Sequence, residues 1–138
     1  MHEDAVLVDS SILAYALGDP DPRRESARRF LKDVTGGVGR AYASVEMFQE
    51  CLHHRLRRTG RRSVAVAEVR ESEPLFVTLD FDHEVLMRSM ELIETTRIRG
   101  RDAVHAATAV AYGIRTIAST DPAFDGIPGM TRVDPTAA

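Results

Sequence analysis

The chain has 138 residues, 43% hydrophobic and 28% charged, ordinary values for one globular domain spanning residues 1–138 and large enough to bury its own core. A single cysteine, Cys51, excludes an intrachain disulfide and fits a reducing compartment. No apolar run nears the roughly 18 residues of a membrane span, and the start, MHEDAV, lacks signal-peptide features, so a cytoplasmic location without membrane contact is expected.

The net charge of −3 argues against a generally basic nucleic-acid binder. Lys32 is the only lysine among 18 basic residues, and the arginines cluster in RLRRTGRR (55–62) and RIRGR (97–101). Base composition of a GC-rich genome accounts for an arginine excess more readily than for its clustering.

In chain order, AVLV (5–8) is a short continuous apolar run, the pattern of a strand covered on both faces. SSILAYALGD reads as a helix closed near Gly18, and Arg23 to Val34 as a second, with Ala27, Phe30, Leu31 and Val34 on one face. TGGVG is a turn into a weak strand at 40–43. SVEMFQECLHHRLRR is a helix with Val45, Phe48, Cys51, Leu52 and Leu56 on one stripe, broken at Thr59-Gly60; a further helix covers 63–71.

PLFVTL (74–79) reads as a strand with Pro74 at its entry. DHEVLMRSMELIETT is helical with Leu86, Met90 and Ile93 expected to face inward. RDAVHAATAVAYG is an alanine-rich helix ended by Gly113, IRTIAS a strand, DPAFD a turn, and MTRV a last strand. This alternation implies an α/β fold with a mostly parallel sheet of about five strands. Ligands in such folds bind outside the carboxyl ends of the strands.

Four acids fall near that edge: Asp9 after the first strand, Glu46 in the first turn of its helix, Asp102 at the start of the alanine-rich helix, and Asp121 after IAST. Each has a local alternative as a helix cap or first-turn carboxylate. Glu46 fits this less well, since with Ser44 as cap it falls at N2 rather than the N3 of a capping box. Asp9 competes with Ser10 and Ser11 for the cap. Together, four carboxylates converging on one cleft repel unless a cation lies between them. Mg²⁺, with its preference for oxygen ligands, answers that charge and supports phosphodiester hydrolysis.

LVDSSILAYAL, SVEMFQE, RGRDAVHAATAV and STDPAFDGIPGM, in this order and over essentially the whole chain, resemble the successive motifs of PIN-domain nucleases, most closely the ribonuclease toxins of bacterial VapBC toxin–antitoxin pairs. The resemblance implies a PIN-like three-layer α/β/α sandwich and an Mg²⁺- or Mn²⁺-dependent endoribonuclease with Asp9, Glu46, Asp102 and Asp121 as its catalytic, metal-binding acids. Ser119 and one of Ser10 or Ser11 are candidates for hydrogen-bonding or phosphate-contacting roles; the resemblance matches Ser10 and Ser119 to such positions, with Asp125 as a fifth acid or a turn residue. A homodimer, an inhibitory antitoxin and a structured RNA substrate such as tRNA or rRNA are implied too.

Arg97, Arg99 and Arg101 precede Asp102 and are expected at the cleft rim, contacting RNA phosphates. His105, at i+3 from Asp102, is expected to orient a neighbouring carboxylate or to pack; proton transfer is the alternative. His53 and His54 read as helix surface and Cys51 as core. A phosphoacceptor receiver domain is excluded by the lack of a lysine near the last strand. A haloacid-dehalogenase-type phosphatase is excluded by Ser11, where it needs a second Asp. The other reading is a PIN-like module that binds RNA or protein with little turnover.

Overall fold

β1 (Val6–Val8) is the pivot of the molecule, in a computed structural model that describes residues 4–36 and 40–137. All three of its residues are buried, because strand alternation sends Val6 and Val8 to one face of the sheet and Leu7 to the other, and helices cover both. The remaining strands are β2 (Ala41–Ser44), β3 (Val77–Leu79), β4 (Thr116–Ala118) and β5 (Thr131–Val133). They lie in the order β3-β2-β1-β4-β5, and every pairing is parallel, so the sheet is wholly rather than mostly parallel.

The helices are α1 (Ser10–Leu17), α2 (Pro22–Thr35), α3 (Val45–Thr59), α4 (Arg62–Ser72), α5 (His83–Thr95) and α6 (Gly100–Ala111). The chain first steps outward from β1 to β2 and β3, then returns across the sheet to β4. Right-handed crossovers put the helices of opposite steps on opposite faces. Accordingly α1, α2 and α3 join Val6, Val8, Ala41 and Ala43 in one core, while α5 and α6 join Leu7, Tyr42 and Ile117 in the other. The result is the expected three-layer α/β/α sandwich. Its switch point lies between β1 and β4, at the carboxyl edge where β1 hands over to Asp9.

Three expectations change. Only Val77–Leu79 of the segment 74–79 is strand; Pro74 sits in a 3₁₀ turn, Glu73–Leu75, because its ring fixes φ for a turn and removes a ladder donor. On α5 the inward residues are Val85, Ser89 and Leu92, packed on α6, whose Ala103, Ala106 and Ala107 allow close approach. Leu86, Met90 and Ile93 are the adjacent stripe and are 44%, 43% and 49% exposed. Val45, placed on the inner stripe of α3, is likewise exposed, and Met47 takes its place. The expected turn at TGGVG falls partly on residues 37–39, outside the described residues. Gly60 ends α3 in the left-handed region at φ 65°, where a side chain would be strained. Among the described residues no helix is long and apolar enough to cross a membrane.

Candidate active site

Asp9 is both the cap of α1 and a cleft residue. Its Oδ2 accepts from the Ser11 backbone N–H at 3.4 Å, the Ser11 hydroxyl at 2.9 Å and the Ser119 hydroxyl at 2.8 Å. An acid only 5% exposed needs such partners, since an unsatisfied buried carboxylate costs several kcal/mol. The two hydroxyls are themselves fixed. Ser119 Oγ accepts from Asp121 N at 3.0 Å and Ser11 Oγ from Thr120 N at 3.1 Å, so the loop after β4 is fastened to the end of β1. Ser119 thus takes its expected place beside Asp9. Ser10 does not: it is half-buried and lines the adjoining groove, while Ser11 makes the contacts.

β2 ends in Ser44, which caps α3 by accepting from Met47 N at 3.0 Å and bonds His105 Nδ1 at 2.9 Å. The other ring nitrogen, Nε2, is hydrogen-bonded to Glu50 Oε1 and lies 3.7 Å from Asp9 Oδ1. Asp9, Glu50 and His105 each offer an atom within 4.8 Å of the others. The α3 acid beside Asp9 is therefore Glu50. Glu46, one turn earlier on the same face, instead meets Arg101, its Oε1 3.4 Å from Nε. The ring of His105 spans from the cap of α3 to its second turn, and this contact selects the second of the two acids.

α6 delivers Asp102 and His105, three residues apart and so on one face. Burial, then the charges of Asp121 and Asp9, push the Asp102 carboxyl up to about 6; His105 opposes the shift and a hydrogen bond with Asp121 adds to it. Asp121 starts a 3₁₀ turn (Pro122–Phe124), its Oδ1 accepting from Ala123 N at 2.9 Å. His105 is 1% exposed. Burial disfavours its charged form, but the bond to Glu50 and the charges of Asp9, Glu50 and Asp102 outweigh this and raise its pKa.

Asp9, Asp102 and Asp121 are thus brought together as expected, Glu50 joins them, and Glu46 stands aside with Arg101. Asp125 is not a fifth member: Arg132 grips it through two bonds of 2.9 and 3.1 Å, which also hold its carboxyl below the usual range. The donor set fits a hard divalent cation. Carboxylate oxygens dominate it, and the repulsion felt by Asp102 marks negative charge that the protein leaves uncompensated.

A groove of about 640 Å³ opens beside the acids, between α1 and α3. Ser11, Glu50, Thr120 and Arg101 line its inner end, and Tyr15, His53, His54, Arg57 and Arg58 its length. Arg97 and Arg99 are exposed on the approach to α6. Cys51 is core, its thiol pushed up to about 12 by burial. His53 is exposed, as expected, and bonds Gln49, whereas His54 is half-buried, and burial with its arginine neighbours lowers its pKa. The residues missed from sequence are Glu50 and the partner Ser44; of the two serines weighed beside Asp9, Ser11 makes the contact. Glu50 carried a signal: it follows Met47 by three and adjoins Cys51, so it borders the apolar stripe, where a carboxylate needs a partner.

A family model described as PIN domain matches residues 6–130. Ribonuclease VapC7 of Mycobacterium tuberculosis is 30% identical over 138 residues, covering 96% of this chain and 93% of its own length. Among solved structures, VapBC2 from Rickettsia felis, bound to a DNA fragment from its promoter, superposes with a TM-score of 0.76 at 15% identity, over 94% of this chain and 98% of that one. VapC20 of M. tuberculosis, a sarcin-ricin-loop-cleaving toxin, does so with a TM-score of 0.70 at 19% identity, over 86% and 91%. At these identities the structures establish the fold, and the family match with the VapC7 relationship establishes the kinship. The chain belongs to the PIN-domain family, within its VapC group.

Proposed function

We propose that this chain is a divalent-metal-dependent endoribonuclease that hydrolyses phosphodiester bonds in structured RNA, tRNA or rRNA, and thereby inhibits translation as the toxin of a toxin–antitoxin pair. The observation that carries this is the convergence of Asp9, Glu50, Asp102 and Asp121 at the switch point of a parallel sheet. The kinship to named VapC ribonucleases supports the choice of RNA.

Asp9, Glu50, Asp102 and Asp121 would hold Mg²⁺, or Mn²⁺ in its place. When bound, such an ion supplies positive charge to the reacting phosphate and acidity to a water. The protein fixes the geometry. Asp9 is locked by two serine hydroxyls and Glu50 by His105, so their oxygens need little reorganisation. Arg101, tethered by Glu46 at the end of the groove beside the acids, and Arg57 and Arg58 along it, are suited to RNA phosphates; Arg97 and Arg99 extend this surface. Water attacks phosphorus in line and the bond to the 3′ oxygen breaks, leaving a 5′-phosphate and a 3′-hydroxyl.

An antitoxin is the protein partner, as in the VapBC complexes that share the fold. The outer stripe of α5, Leu86, Met90 and Ile93, is the face we assign to a second copy in a homodimer. The location is cytoplasmic, in keeping with a single buried thiol. The test is incubation of purified protein with total cellular RNA. Discrete fragments with 5′-phosphates are expected with Mg²⁺ or Mn²⁺ and none with EDTA. Intact RNA, under conditions where a control nuclease cuts, would favour a binding module without turnover.

A further inference from the structure

His105 offers one nitrogen to the acid cluster, and what that nitrogen carries is fixed by its neighbours. Ser44 Oγ already accepts the Met47 backbone N–H, as cap of α3, so its own hydrogen is free to go to His105 Nδ1 at 2.9 Å. A neutral ring that accepts at Nδ1 bears its hydrogen on Nε2, and a charged ring bears one there as well. Nε2 is bonded to a Glu50 carboxylate oxygen, an acceptor that calls for a hydrogen on the ring nitrogen. The Glu50 side of the ring therefore puts a hydrogen on Nε2, and the Ser44 side matches it by donating to Nδ1. Nε2 then has no lone pair for a cation, although Asp9, Glu50 and His105 together have the spacing of a three-ligand site.

We propose that His105 is a positioning residue and not a metal ligand: its Nε2–H aims the Glu50 carboxylate at a cation shared with Asp9, while Ser44 holds the other side of the ring. This rests on the reading of the acids as a cation site. The arrangement links three elements at one point. Ser44 and Glu50 lie on successive turns of the same helix start, and the ring from α6 bridges them. α6 also carries Asp102, so the bridge sets the distance between the acids of α3 and α6. Hydrogen bonds of this kind to a ligating group are typically worth about 10–100-fold in metal affinity.

The full-length chain, labelled with ¹⁵N in its histidines, tests the proposal without turnover. In metal-free protein, Nε2 of His105 is expected to show a one-bond coupling to hydrogen; a bare Nε2 with the hydrogen on Nδ1 would overturn the proposal. With Mn²⁺ bound, pulsed electron paramagnetic resonance is expected to detect no directly coordinated nitrogen, and a bound nitrogen would overturn it. His105→Gln keeps a donor near the Nε2 position, whereas His105→Met does not. Mn²⁺ affinity should fall on the order of 10–100-fold in the Met variant and less in the Gln variant. Equal losses in two folded variants would reduce His105 to packing; if the Met variant does not fold, the two spectroscopic results on the wild type still decide. Absence of Mn²⁺ binding by the wild type would overturn the cation reading together with this one, while Mn²⁺ binding through a His105 nitrogen would overturn this one alone.

Discussion

The two halves of the acidic cluster are built differently. On the β1 and α3 side, Asp9 is nearly buried and holds two serine hydroxyls, while Glu50 is held by a histidine that is itself held by Ser44. On the α6 and β4 side, Asp102 and Asp121 face each other and Asp9, and burial together with the charges of Asp121 and Asp9 pushes Asp102 up to about 6. One half is fixed in place by hydrogen bonds; the other is set against itself. A site with a rigid half and a repulsive half has its ligands positioned in advance and its charge reserved for a cation.

Removing the fixed half should cost most. Asp9→Asn takes away a charge worth several kcal/mol at the reacting phosphate and should reduce RNA cleavage on the order of 10³-fold, read by fragment yield over time. Its fold should persist by circular dichroism, because the amide oxygen still accepts from Ser11 and Ser119. Ser119→Ala removes only one of the bonds that hold Asp9. It should weaken Mn²⁺ binding about 10–100-fold and lower stability by about 1 kcal/mol, measured by titration calorimetry and urea unfolding.

The repulsive half should be visible in pH dependence. Asp102 ordinarily titrates near 3.8 but is raised to about 6 in the fold, so between these values the folded chain binds more protons than the unfolded one. Metal-free stability should therefore fall as pH rises from about 4 to about 6. His105, raised from 6.5, extends the fall to higher pH, because the stability it contributes when charged is lost as it deprotonates. Asp102→Asn should flatten the acidic part, and saturating Mg²⁺ should do so in the wild type. Thermal unfolding across this range, with and without Mg²⁺, reads both. Away from the cluster the effects should be smallest. Ile93→Asp on the outer face of α5 should weaken self-association at least about tenfold by light scattering and leave Mn²⁺ affinity unchanged.

The order of elements was legible because buried parallel strands and amphipathic helices have different periods, and because the caps Asp9, Ser44 and Gly60 punctuate them. The facing of α5 was not, since Val85, Ser89 and Leu92 form a stripe beside Leu86, Met90 and Ile93, and only the small residues of α6 decide which stripe packs. In the site, Asp9, Asp102 and Asp121 were readable because each follows a strand or opens a helix at the sheet edge. The α3 acid was not, because Glu46 and Glu50 lie one turn apart on one face and the choice depends on a contact with a histidine 55 residues away. Asp125 was indistinguishable from a turn residue until Arg132, on the neighbouring strand, was brought against it.

The choice between those two glutamates is the central claim, and Mn²⁺ binding tests it without any substrate. Titration of wild type, Glu50→Gln and Glu46→Gln should show affinity falling at least about tenfold in the Glu50 variant, as for loss of a charged ligand, and remaining near wild type in the Glu46 variant. The opposite order, with Glu46→Gln losing the metal and Glu50→Gln keeping it, would contradict the account.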